Sequence, residues 1–258
     1  MHAATDYAAL YNADHKKWNV YGTSARKHIS TITRILRVEQ IRPLMFAVAR
    51  KFSVEETKKV LRLFVFWSVR FLVVGGRGGL LDRNYAVRAQ EVAKGKITTA
   101  SKLAQAMADI VPNDALFRTA FAEQRVSQGF LARYYLRALE QKLKGETEPE
   151  FVPMDEENII NLEHILPENP EGNWPDFDAN TAAAFYRRLG NLALLQAKKN
   201  ALIGNSNFAE KRRILKDSVF ILTSEVRKLS MWRPRQINER QERLADLAVQ
   251  TWPLKLKG

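Results

Sequence analysis

The spacing of apolar side chains changes character once along this chain, and that change limits what it can fold into. Val60, Leu61, Phe64, Val65, Trp67, Val69, Phe71 and Leu72 recur with helical spacing over a broad face. Phe130, Leu131, Tyr134, Tyr135, Ala138 and Leu139 do the same within residues 127–144. At Ile159, Ile160, Leu162, Ile165 and Leu166 the pattern shortens to a β-branched run closed by Pro167, as a buried strand requires. A second short apolar run, Asn191 to Leu195, predicts a partner strand, and a short helix is expected around Ala182 to Arg188. Two helices should close the chain, one from about Phe208 to Leu229 and one from about Asn238 to Trp252. The expected class is mainly α (α+β): a helical domain over residues 1–148 and an α+β domain over 149–258. The boundary is placed in the polar stretch Lys144-Gly145-Glu146-Thr147-Glu148-Pro149.

Punctuation inside the first part is legible. Gly75-Gly76-Arg77-Gly78-Gly79 ends one helix and lacks the Gly-Lys-Ser/Thr ending of a phosphate loop, so it reads as a helix-to-helix turn. Thr98 or Thr99 can cap the next helix, and Pro112-Asn113-Asp114 separates it from another beginning near Ala115. Arg118, Arg125, Arg133 and Arg137 recur at spacings that would group several on one helical side, either to steer DNA or as a solvated face. His2, His15 and His28 have no carboxylate spacing suited to a metal and are read as structural.

Charge narrows the partner. The 258 residues carry 41 Lys+Arg against 28 Asp+Glu, a formal charge of +13, which favours a polyanion. Residues 1–150 hold 25 basic and 14 acidic side chains, so most of the excess lies there. In the second part the order is acid then base: Asp155, Glu156, Glu157, Glu163, Glu168, Glu171, Asp176 and Asp178 all precede Arg187. Such an order suits a cation held against a phosphate. Cysteine is absent, which excludes a disulfide framework and a cysteine-ligated zinc. The stretch Val60–Val74 contains Arg62 and Arg70 and is too short to span a bilayer, and no secretory leader pattern opens the chain. A soluble cytoplasmic protein without a membrane partner is expected.

The chemistry-bearing residues begin where the first strand ends. Glu163-His164 stands in Asn161-Leu162-Glu163-His164-Ile165-Leu166-Pro167. A neutral imidazole there can take a proton from water, and Glu163 and Asn200 offer the hard oxygen atoms that Mg²⁺ or Mn²⁺ prefers. Asn191 follows within Leu189-Gly190-Asn191-Leu192-Ala193-Leu194-Leu195, and Asn200, Asn205, Phe208 and Lys211 come after it.

In residue type, order and spacing this set resembles the HNH, or His-Me finger, superfamily. More closely it is similar to the C-terminal nuclease domain of GmrSD-type modification-dependent restriction enzymes, over about residues 155–254. Trp232, Arg240, Leu244, Ala245 and Trp252-Pro253 resemble that family's closing helices. The resemblance implies a ββα-metal finger embedded in helices, with His164 as general base and Asn191 as the residue positioning the loop and His164. Glu163 and Asn200 would be the metal ligands, with Asn205 as an alternative position for the second. Asn205 and Lys211, together with Lys198, Lys199 and Arg212, are the expected nucleic-acid contacts. Asn200 in the third place of the name motif makes this a His-Asn-Asn variant, and the lack of cysteine excludes the zinc-stapled subtype. The implied activity is that of a metal-dependent DNA endonuclease module of bacterial antiviral restriction, using Mg²⁺ or Mn²⁺ on modified phage or foreign DNA. Residues 1–150 resemble the helical connector of fuller relatives, and the nucleotide-hydrolysing sensor of those relatives would be a separate domain or subunit. The alternative from another class is a catalytically inactive DNA-binding or protein-docking subunit.

Overall fold

The computed structural model describes residues 2–75, 78–152, 159–170, 172–196, 203–204 and 206–256. They form two compact units, Met1–Phe117 with Trp252–Gly258, and Arg118–Thr251. Among the described residues the fold is mainly helical with one small sheet. The units part at Phe117/Arg118, ahead of the polar stretch 144–149 where composition alone places a boundary.

The first unit holds α1 (His2–Ala9), α2 (Gly22–Ser30), α3 (Arg42–Lys51), α4 (Val54–Val74), α5 (Gly78–Ala93) and α6 (Ala100–Ala106). Helix α4 is its axis, and the apolar spacing read from Val60 onward is its buried surface: Phe64, Val65, Phe66, Trp67 and Val69 are all within the core. Ser53 caps its start by accepting from the Glu56 N–H, and Gly75, at φ 68°, ends it in a conformation that only glycine adopts freely. Arg70, fully buried, donates to the carbonyls of Trp252 (2.8 Å) and Pro112 (2.8 Å) and to Asp114 Oδ1 (2.6 Å). Its charge is therefore structural, tying the returning C-terminal segment to α4. Thr99 caps α6 by accepting from the Lys102 N–H. Among the described residues no helix is long and apolar enough to cross a membrane.

In the second unit α8 (Gly129–Leu143) lies against a two-stranded antiparallel sheet, β1 (Ile160–His164) and β2 (Leu192–Gln196). The register pairs Leu162 with Leu194 and His164 with Leu192. Between the strands come α9 (Ala179–Phe185), capped by Asp178, and a single 3-10 turn, Leu189–Asn191. After β2 follow α10 (Phe208–Lys216), α11 (Ile221–Ser224) and α12 (Pro234–Thr251). Ile165, Leu166, Trp174, Phe177, Leu195, Leu215, Val226, Trp232 and Ile237 form the common core.

Three local expectations are corrected by tertiary bonding. The single helix expected from Phe208 to Leu229 is broken at Asp217–Phe220, leaving Val219 exposed, because fully buried Glu140 on α8 accepts the Ile221 and Leu222 N–H groups (2.8 and 3.0 Å) and starts a new helix there. The Thr223 hydroxyl of that new helix donates to the Leu194 carbonyl and accepts the Leu194 N–H, supplying β2's outer edge with the partner a third strand would give. Asn191 precedes β2 in the 3-10 turn instead of opening the strand. The arginine row also does not share a helix. Arg118 lies on the α7 helix (Asp114–Glu123) and pairs with Asp246 and Glu242, Arg125 lies beyond that helix, and only Arg133 and Arg137, four residues apart on α8, share a helical side.

Candidate active site at the end of the first strand

The turn that follows β1 is held from behind by α12. A Cβ on Gly190 would sit 2.3 Å from the Ile237 carbonyl oxygen, so the 3-10 turn approaches the helix as closely as only glycine allows. Gln241 Oε1 accepts the Gly190 N–H at 3.0 Å. Arg240, fully desolvated, donates to the carbonyls of Gly190 (2.7 Å), Leu192 (2.8 Å) and Leu222 (3.3 Å). Burial pushes its guanidinium down to about 10, still charged near neutrality. The carbonyl ends of this turn are thereby satisfied without water.

Asn191 converts that fixed turn into a fixed strand end. Its Oδ1 accepts from the Leu166 N–H (2.8 Å) and from Trp232 Nε1 (3.0 Å). Its Nδ2 donates to the carbonyls of Leu166 (2.9 Å) and Tyr186 (3.1 Å), while its own carbonyl accepts from the Ile165 N–H (3.0 Å). The side chain is fully buried, and the bonds on its two polar atoms lock residues 165–166 directly after His164.

Glu163 and His164 project from this strand end. Glu163 is 7% exposed, and its Oε1 accepts from Lys211 Nζ of α10 at 2.5 Å. Lys211 is 1% exposed and also donates to the His164 carbonyl at 2.8 Å. Burial raises the Glu163 carboxyl and lowers the Lys211 amine, each opposed by the attraction of the other. His164 is half-buried and stacked on Tyr186, with ring centroids 4.1 Å apart and 18° between planes. Burial first, then the positive charges of Lys211 and Arg187, push the imidazole down to about 4. It is neutral across the physiological range, the state in which it can accept a proton.

Glu163, His164, Asn191 and Lys211 are thus brought together, though Lys211 serves as the counter-ion of Glu163 and not as an open phosphate contact. Arg212 is exposed and donates to the Leu229 carbonyl, away from this group. Asn200, Asn205, Lys198 and Lys199 lie outside the described residues. Within the second unit, no three described His, Asp or Glu side chains converge on one point.

Several participants have no local mark in the sequence. Arg240 and Gln241 read as polar positions of an amphipathic helix. Tyr186-Arg187-Arg188, an aromatic followed by two cations just before the Gly190-Asn191 turn, is the one signal that could have drawn attention. Segment 124–126 lies beside it, with the Val126 N–H donating to the Arg187 carbonyl (2.9 Å) and the Leu189 N–H to that of Gln124 (3.3 Å).

The unit that carries this geometry coincides with a family domain: the model for the C-terminal domain of GmrSD restriction endonucleases matches residues 111–247. No curated protein matches the chain. Helix α8, the sheet and α12 up to residue 247 all fall inside the matched region, and on that match the chain belongs to the GmrSD restriction endonuclease family.

Proposed function

We propose that this chain hydrolyses DNA phosphodiester bonds, with His164 as the general base and one Mg²⁺ or Mn²⁺ ion beside it. The observation that carries the reading is the imidazole itself, held neutral at a locked strand end next to a carboxylate. The order β1, β2, α10, with Glu163 and His164 on the first strand and Lys211 on the helix, supports a ββα-metal finger of the HNH kind.

His164 takes the proton of the attacking water while the water oxygen forms the new P–O bond and the ester P–O bond breaks. Tyr186 fixes the plane of the imidazole, and Asn191 fixes the backbone that bears it. Glu163 offers a hard carboxylate oxygen, the donor class a hard divalent ion takes, and the ion would displace the Lys211 ammonium that now occupies Oε1. Glu163 with Asn200 would hold the ion, which supplies charge neutralisation on the phosphate and leaving oxygens. The target is modified phage or foreign DNA in the bacterial cytoplasm, selected by a nucleotide-hydrolysing sensor domain or subunit.

The closed Glu163–Lys211 pair is the observation that favours a second reading, a DNA-binding or docking subunit without catalysis. Plasmid nicking with and without Mg²⁺ or Mn²⁺ separates the two. His164→Ala is expected to lower the metal-stimulated rate by about 10²–10⁴-fold with the fold and DNA retention intact. An unchanged rate rejects His164 as the base, and no nicking by the parent with either metal favours the docking subunit.

A further inference from the structure

Tyr186 has a second neighbourhood. It also lines a cleft of 590 Å³ with Arg125, Arg187, Glu168, Asn169 and Phe177, within the range of about 300–1,000 Å³ usual for ligand sites. The two arginines reach it from segments distant in sequence, joined by the backbone bonds between residues 124–126 and 187–189. Each commits one guanidinium nitrogen to a protein oxygen, Arg125 Nη2 to the Ala183 carbonyl (2.8 Å) and Arg187 Nη1 to Ser127 Oγ (3.3 Å). A guanidinium has five N–H donors in a planar fork that matches phosphate, so both retain donors for a ligand. Half-buried Tyr186 adds aromatic surface on which a base stacks, and the core residue Phe177 contributes apolar lining.

We propose that this cleft holds the nucleotide next to the scissile phosphodiester of a DNA strand, with its phosphates on Arg125 and Arg187. The inference rests on the hydrolytic reading and gives its substrate a path. Tyr186 is the shared wall, so a strand seated in the cleft passes beside His164. Among the described lining residues Glu168 is the carboxylate set against the two arginines, so the favourable phosphate positions are on the arginine side. Of the cations singled out by sequence, Arg125 lines this cleft, whereas Lys211 is paired with Glu163 and Arg212 bonds the Leu229 carbonyl.

The experiment follows anisotropy of a fluorescein-labelled DNA duplex on the full chain carrying His164→Ala, so that binding is read without turnover. Adding Arg125→Gln with Arg187→Gln should weaken binding about tenfold and flatten the slope of log K against log salt by nearly two, as expected for two phosphate contacts at about 0.9 each. Ala183→Trp fills the cleft from an exposed helical position without removing a charge or a bond, and should weaken binding comparably with an unchanged melting temperature. Arg212→Gln should leave the slope unchanged. Parent-like affinity and slope in both cleft variants, a loss in Arg212→Gln equal to that of the arginine pair, or structured RNA displacing the duplex better than DNA does would overturn the proposal. The hydrolytic reading fails separately, through retained nicking by His164→Ala, while the salt slopes still decide the cleft.

Discussion

The Leu189–Asn191 turn and the Glu163–His164 strand end lie within hydrogen-bonding reach through residues 165–166, yet they are built on opposite terms. In the turn every side chain is buried and each strong polar group has a fixed partner on α12, on Trp232 or across the strand end. At the strand end one buried ion pair and one half-buried imidazole face each other across the backbone, and the imidazole rests on a ring that opens into a cleft. The difference teaches where precision is stored: the rigid side spends its polar groups on itself so that the reactive side can leave one nitrogen base uncommitted.

Breaking the reactive side at its ion pair should have the largest effect on stability. Lys211→Met strands the Glu163 carboxylate in a site 7% exposed and is expected to cost about 3–5 kcal/mol in urea unfolding at neutral pH. A loss below about 1 kcal/mol would mean that the pair is solvated like a surface salt bridge. On the rigid side, Gly190→Ala drives a methyl group into the Ile237 carbonyl oxygen and should cost about 1–3 kcal/mol, with nicking reduced because Asn191 moves with the turn. If that variant melts like the parent, the close approach of α12 is not what fixes the turn.

A smaller effect sharpens the comparison through pH. The folded imidazole of His164 sits at about 4, below its usual 6.5, so the unfolded chain binds the extra proton between those values. This contribution to stability is complete above about pH 6.5 and fades as pH falls toward 4. Thermal melts at pH 7 and pH 5 should therefore show a larger acid loss in the parent than in His164→Gln, and equal losses would place His164 in open solvent. The acid limb of nicking, followed over the same range, should lie near pH 4 and not near 6.5.

Much of this architecture could be read residue by residue. The β-branched run before Pro167 gives β1, the helical spacing from Val60 gives α4, and Ser53, Thr99 and Asp178 carry their caps locally. Glu163, His164, Asn191 and Lys211 stood out by type and order, and the fold gathers them. The break at Asp217–Phe220 was not legible, because its cause is Glu140, on another helix. Tyr186 beneath His164 and Arg125 beside Arg187 were equally hidden, since each depends on segments distant along the chain.

By itself, the sequence determined the helical and extended segments and the inventory of reactive groups, because periodicity and local hydrogen bonding act over a few residues. Only the tertiary structure decided the state of those groups. Burial against Tyr186 and a lysine 47 residues away set the protonation of His164, and the buried carboxylate of Glu163 acquired its counter-ion from a different element. Desolvation and charge act through space, and the distances they depend on exist only once the chain has closed.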